Sequence, residues 1–127
     1  WMIKIIRNKI IKSNGGKIFK YIDKNKSYFK KFGEVYVNIL ESKKNVDWVF
    51  HKKCQCLLLV IVGRIKFITK KKNKKKNIII LDSKKNQLVV IPPKTWFSFS
   101  SVASKSIFLN LIDKPHDSKE TIREKFN

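Results

Sequence analysis

Residues 46–68, VDWVFHKKCQCLLLVIVGRIKFI, decide the fold. An aromatic, a histidine and two lysines lead into an apolar run, Gly63 interrupts it, and Arg64, Ile65, Lys66, Phe67 and Ile68 then alternate polar with apolar. A period of two puts successive side chains on opposite faces of a strand, and glycine supplies a turn. The stretch therefore reads as two strands joined tightly at Gly63. A second stretch, IPPKTWFSF at 91–99, looks like its counterpart, and whether the two line one pocket is the functional question.

Working outward, residues 2–11 near-alternate Ile with basic residues and predict an edge strand, followed by the turn Ser13-Asn14-Gly15-Gly16. Short strands are expected at 17–21, 34–40, 78–81, 87–91 and 107–112, with a polar loop at 23–27 and a turn at 82–86. The run KKKNKKKN at 70–77 reads as an exposed hairpin loop kept solvated by its like charges. Pro92-Pro93 fixes an extended approach to the next turn, and the serine-rich segment 98–106 reads as a connection. Residues 118–126 are expected to form a short helical turn, with Ser118 as its N-cap. No segment before residue 118 sustains a helical period, so the class is all-β, and a jelly roll is one way for so small a domain to close its edges.

At 127 residues the chain has the size of one domain. Its 43% hydrophobic content, with nine Phe, three Trp and three Tyr, excludes a composition-driven disordered chain. The formal charge of +21 first suggests nucleic acid. Yet 27 of the 30 basic residues are Lys and only Arg7, Arg64 and Arg123 are Arg, whereas phosphate and base recognition favours the guanidinium fork. With 18 Ile and 10 Asn beside the lysines, codon bias toward A and T explains the charge without an anionic partner; a nucleic-acid-binding module is kept as the lesser alternative. Cys54 and Cys56 are too close for an unstrained disulfide and are expected as buried free thiols in a reducing compartment. No run reaches the length of a membrane span, and a cytoplasmic protein is the expectation.

Four segments follow in order: Phe32-Gly33-Glu34-Val35-Tyr36, then residues 46–53 with Gly63 and Lys66, then residues 90–99, and finally Leu109-Asn110-Leu111-Ile112-Asp113-Lys114-Pro115-His116-Asp117. Together they resemble the cupin family of dTDP-4-dehydrorhamnose 3,5-epimerases, in particular its short WxcM-like, sugar-epimerase-like branch. The resemblance implies one cupin double-stranded β-helix, or jelly roll, over 1–127: N-terminal strands and loop at 1–31, core at 32–117 and tail at 118–127. It also implies a homodimer with a nucleotide-sugar ligand in the barrel, acting in deoxysugar or surface-polysaccharide biosynthesis. Its chemistry is proton abstraction beside a ketone, which needs a base of tuned pKa and a group that stabilises the enolate. Within the Arg-Gly-x-His segment of the true epimerases, Val46 stands at the Arg, Asp47 at the Gly and Val49 at the catalytic His. His51, two residues on and of the same strand parity, matches a second His of many short relatives, and the acid Tyr falls at or near His116. Trp96-Phe97 stands where many relatives carry Trp-His.

The catalytic candidates are therefore His51 and His116, and the substrate-binding candidates are Trp48, Lys53, Trp96, Phe97 and Phe99. The plain alternatives are a structural histidine, ordinary aromatic packing and a solvated lysine. Lys53 shares strand parity with His51, which sets it above Lys52. The two histidines form no His-x-His pair and have no matching carboxylate nearby, so no metal is expected, and no cofactor. No glycine-rich phosphate loop occurs, which leaves the barrel interior to bind any nucleotide. Two function classes remain in view: an epimerase or isomerase-like enzyme using His51, and a non-catalytic nucleotide-sugar binder that has lost the base.

Overall fold

The computed structural model describes residues 3–71, 75–115, 117 and 119–126. Its strands are β1 (Lys4–Arg7), β2 (Ile11–Ser13), β3 (Gly16–Ile18), β4 (Glu34–Leu40), β5 (Trp48–His51), β6 (Cys56–Val62), β7 (Arg64–Lys70), β8 (Asn77–Asp82), β9 (Gln87–Ile91), β10 (Trp96–Ser101), β11 (Ser106–Ile112) and β12 (Thr121–Glu124). Two antiparallel five-stranded sheets, ordered β1-β9-β6-β11-β4 and β12-β5-β10-β7-β8, face each other, and β2 with β3 forms a separate hairpin. This is the all-β jelly-roll architecture expected from the sequence.

The core lies between the sheets. Leu58 and Val60 of β6, Val89 and Ile91 of β9 and Phe108 of β11 meet Ile65 and Phe67 of β7, Leu81 of β8 and Phe97 of β10. The unbroken apolar run of β6 is explained by burial on both faces. Its alternate residues Leu57 and Leu59 turn outward, join Leu88 and Val90, and are covered by Tyr21, Ile22, Tyr28 and Phe29 from the chain that precedes β4. That covering segment is anchored by Gln55 Nε2 donating to the Tyr28 carbonyl at 2.6 Å.

Several expectations are corrected. Residues 46–68 hold three strands, and Gly63 does not close a pair: β6 and β7 belong to different sheets, so the turn carries the chain across the core. Gly63 has φ +80°, and a Cβ there would lie 2.4 Å from Ser106 Oγ and 2.6 Å from the Lys105 carbonyl. The serine-rich segment 98–106 is largely strand. β10 continues to Ser101, where the hydroxyls satisfy buried backbone: Ser98 Oγ donates to the Val46 carbonyl at 2.7 Å and Ser106 Oγ to the Arg64 carbonyl at 2.9 Å. The expected strand at 17–21 ends at Ile18.

The tail forms no helical turn among the described residues, and Thr121–Glu124 is strand β12, paired antiparallel with β5. A nine-residue helix would bear an unrecovered nucleation cost, whereas pairing with the open edge of β5 satisfies backbone groups on both strands. The lysine run does sit between β7 and β8, which pair from Arg64↔Asp82 to Thr69↔Asn77. Both thiols are free and buried. Among the described residues no helix is long and apolar enough to cross a membrane.

Replacing Gly63 by Ala should lower unfolding free energy by about 1–3 kcal/mol, since a Cβ there combines backbone strain with a clash against backbone. Denaturant melts of the two proteins check it, and equal midpoints would show that the turn tolerates a side chain.

Candidate functional site

Residues directly opposite each other in an antiparallel pair share a face. His51 pairs with Thr121 and Val49 with Arg123 across β5 and β12, while Val49 also pairs with Phe97 across β5 and β10. All five therefore point the same way, toward the opposite sheet. That sheet answers with Tyr36 and Asn38 of β4 and Phe108 and Asn110 of β11, and the walls enclose a cavity of about 280 Å³. Phe99 completes its apolar floor, edge-on to Phe108 with centroids 4.8 Å apart. β4 reaches the cavity through its alternation: Glu34, Tyr36, Asn38 and Leu40 turn inward, Val35, Val37 and Ile39 outward.

Glu120, immediately before β12, fixes the histidine. Its Oε1 accepts the backbone N–H groups of Lys53 at 2.9 Å and Cys54 at 3.0 Å. Its Oε2 lies 3.1 Å from His51 Nδ1 and accepts the Thr121 hydroxyl at 3.2 Å. An ionised carboxylate only accepts, and the Thr121 hydroxyl, 3.1 Å from Nδ1, gives its own proton to Glu120, so the network assigns the ring proton to Nδ1 and leaves the lone pair on Nε2. The His51 carbonyl is held as well, accepting the Lys94 N–H at 2.7 Å, where Lys94 adopts a left-handed backbone with φ 64°. The His51 and Glu120 side chains are 12% and 9% exposed. Burial by itself would raise Glu120, but the N–H groups of Lys53 and Cys54 and the His51 ring outweigh it and hold the carboxyl down at about 2.

The family described as "FdtA: WxcM-like, C-terminal" matches residues 3–127. The chain belongs to this family. Solved structures share its fold. A dTDP sugar isomerase from Desulfovibrio desulfuricans superposes with a TM-score of 0.87 at 22% identity, covering 95% of this chain and 82% of that one. QdtA, a sugar 3,4-ketoisomerase from Thermoanaerobacterium thermosaccharolyticum solved in complex with TDP, gives 0.84 at 21% identity, with coverage of 96% and 88%. The dTDP-4-dehydrorhamnose 3,5-epimerase of Bacillus anthracis, solved with TDP and PPi bound, gives 0.84 at 15% identity, with coverage of 95% and 77%. No curated protein sequence matches.

Within this family member the site residues expected from sequence separate. His51, Phe97 and Phe99 line the cavity. Trp48 is buried away from it, stacked on Phe126 at 5.3 Å with Lys70 over its ring, and Trp96 lies against Phe50 at 4.9 Å. Lys53 faces a second cavity of about 360 Å³, shared with Lys52, Cys54 and Lys114, because β5 ends at His51 and strand parity stops there. His116 lies outside the described residues. The structure adds Tyr36, Asn110, Arg123 and Glu120. Tyr36 carries a parity signal, being an inward residue of a clean alternating strand; Glu120 had none, since its segment was read as helix.

Two polar groups of the opposite wall differ in their partners. Burial, and then the hydrogen bond between its hydroxyl and Glu34, push Tyr36 up to about 12, so the hydroxyl keeps its proton at any working pH. Asn110 is hydrogen-bonded to Cys56, and its Oδ1 is buried without a partner. His51, Cys54 and Glu120 bring potential metal-ligand atoms within 4.8 Å of one another. The set fits a cation poorly: both Glu120 oxygens already accept two hydrogen bonds, and burial, with Glu120 beside it, pushes the Cys54 thiol up to about 12.

Because the folded value of Glu120 lies below its ordinary 4.5, the stability it confers is complete above about pH 4.5 and is lost as pH falls toward 2. Acid titration of the melting temperature should show this loss. Glu120→Ala should flatten it and cost about 1–2 kcal/mol at neutral pH by removing the acceptor of the Lys53 and Cys54 N–H groups. Identical acid profiles for the two proteins would contradict the assignment.

Proposed function

We propose that the chain is a sugar-nucleotide isomerase or epimerase acting on a dTDP-linked 4-keto-6-deoxy sugar, with His51 as the base. The observation that carries this reading is the His51–Glu120 pair at an aromatic-walled cavity. Nδ1–H is held by a buried carboxylate, so Nε2 can take a proton and the resulting imidazolium is stabilised where it forms. The substrates and ligands named for the structural relatives, dTDP or TDP sugars and TDP, supply the ligand class.

The reaction follows from that geometry. Nε2 removes the proton on a carbon beside the ketone, the C–H electron pair forms the enolate double bond, and the carbonyl oxygen becomes the enolate oxygen. Tyr36 stands on the opposite wall with its hydroxyl proton engaged by Glu34, and donates to a sugar oxygen only by exchanging that partner. Delivery of the abstracted proton from Nε2 to the former carbonyl carbon on the same face, while the hydroxyl of the first carbon gives its proton to the enolate oxygen and becomes the new ketone, is isomerisation. Return from the opposite face is epimerisation and needs a second donor, a role this reading gives to Tyr36. Phe97, Phe99 and Phe108 keep water from competing for the enolate.

Val49 supports a second reading, a nucleotide-sugar binder without turnover, because an apolar side chain lines the cavity where the epimerase base stands. Either reading is accommodated by a homodimer, which the outward row Val35, Val37 and Ile39 on edge strand β4 supports, at 47%, 60% and 55% exposure.

In deuterated water the protein should place deuterium beside the keto group of dTDP-4-keto-6-deoxyglucose, and His51→Gln should slow this by roughly 10²–10⁴-fold while leaving ligand affinity within a few-fold. Mass spectrometry and NMR of the recovered sugar read the exchange. Binding without exchange in the unaltered protein would favour the binder and end the enzymatic reading.

A further inference from the structure

Among the described residues the cavity lining contains one side chain with a permanent positive charge, and it is an arginine in a chain whose 30 basic residues include only three. Arg123 lies two positions beyond Thr121 on β12, opposite Val49, on the face that carries His51. It is exposed, so its guanidinium stands at the rim while His51 stands within. Among the described residues no carboxylate pairs with it; the ion pairs found engage Lys20 with Asp23 and His51 with Glu120. The lining opposite is formed by Tyr36, whose hydroxyl is engaged by the inward Glu34, with Asn38 and the unpartnered Asn110 Oδ1. The positive charge of the lining thus sits at the β12 lip.

The position that the family resemblance gives to a substrate-binding arginine cannot fill this role. It is Val46, whose N–H donates to the Phe99 carbonyl at 3.0 Å and whose carbonyl accepts Ser98 Oγ at 2.7 Å. The geometry points to Arg123 as its replacement from another strand, anchoring the diphosphate of the nucleotide sugar at the β12 rim and directing the sugar past His51 toward Tyr36 and Asn110. A guanidinium fork matches two phosphate oxygens at once, and at a rim it meets the part of the ligand that remains partly solvated. None of the described lysines lines the same cavity, which sets the anchor apart from the surrounding basic surface. This assignment rests on the proposed function and specifies which residue holds the ligand's charge.

Calorimetric titration with dTDP, at several salt concentrations, tests it in the full chain. Arg123→Gln, an exposed substitution whose melting temperature should match that of the unaltered protein, should weaken dTDP by about tenfold or more and flatten the salt dependence of binding. Arg123→Lys, which keeps the charge and loses the fork, should fall between the two. Unchanged dTDP affinity and salt slope in Arg123→Gln would overturn the anchor and leave the isomerase reading standing. Failure of the unaltered protein to bind dTDP or a dTDP sugar would overturn both.

Discussion

The carboxylate of Glu120 ties three parts of the chain together. It receives the N–H groups of Lys53 and Cys54 just after β5, the ring of His51 at the end of β5, and the hydroxyl of Thr121 at the start of β12. Apart from the exposed Lys53 contact those bonds are part-buried, where an unmet N–H or an unpaired charge is costly. The same contacts that dock the last strand also set the orientation of the one described histidine in the cavity. Backbone pairing then extends the arrangement, with Lys52 N–H donating to the Glu120 carbonyl at 3.0 Å and the strands aligned from Thr121↔His51 to Glu124↔Trp48.

From that anchor the chemistry of the cavity follows from strand parity. Once His51 is inward, Val49 must be inward too, and Trp48 and Phe50 must be outward, where Trp48 is covered by Phe126. On β10 the same rule sends Phe97 and Phe99 in and Trp96 out. The aromatic residues thus divide between a cavity wall and an outer patch. The division leaves the interior apolar except for His51, Arg123 and the uncharged polar groups of β4 and β11, a setting in which a placed base and a few donors act with little competition from water.

Much of the fold was legible because its strands announce themselves by alternation or by β-branched runs: β4 and β9 occupy the expected residues, and β11 begins one residue early. The misreadings share one cause, tertiary hydrogen bonding that composition does not display. Serine is a turn former in the open chain, yet Ser98, Ser100 and Ser101 are buried in β10 because neighbouring carbonyls accept their hydroxyls or the strand pairs around them. Residues 118–126 have helix-forming composition, but the open edge of β5 offers more than an isolated turn could. Gly63 was correctly read as a turn, while its passage between sheets depends on the position of Ser106, which is 43 residues away in sequence. The site was legible only where parity sufficed, at His51, Phe97 and Phe99. Glu120 is joined to His51 across 69 residues and belongs to no local motif.

The net charge of +21 belongs mainly to a lysine-rich exterior and says little about the cavity, whose polar character, among the described residues, is set by a few uncharged groups, His51 and Arg123. What makes this a candidate for proton transfer is the state of the His51 ring, and that state can be observed directly. Nitrogen-15 NMR of selectively labelled histidine, read at neutral pH in the unaltered protein and in Glu120→Gln, tests it. The account predicts that neutral His51 carries its proton on Nδ1, with Nε2 bare, and that this preference weakens when the carboxylate is replaced. A neutral His51 protonated on Nε2 in the unaltered protein would contradict it, because the nitrogen facing the substrate would then have no lone pair with which to take a proton.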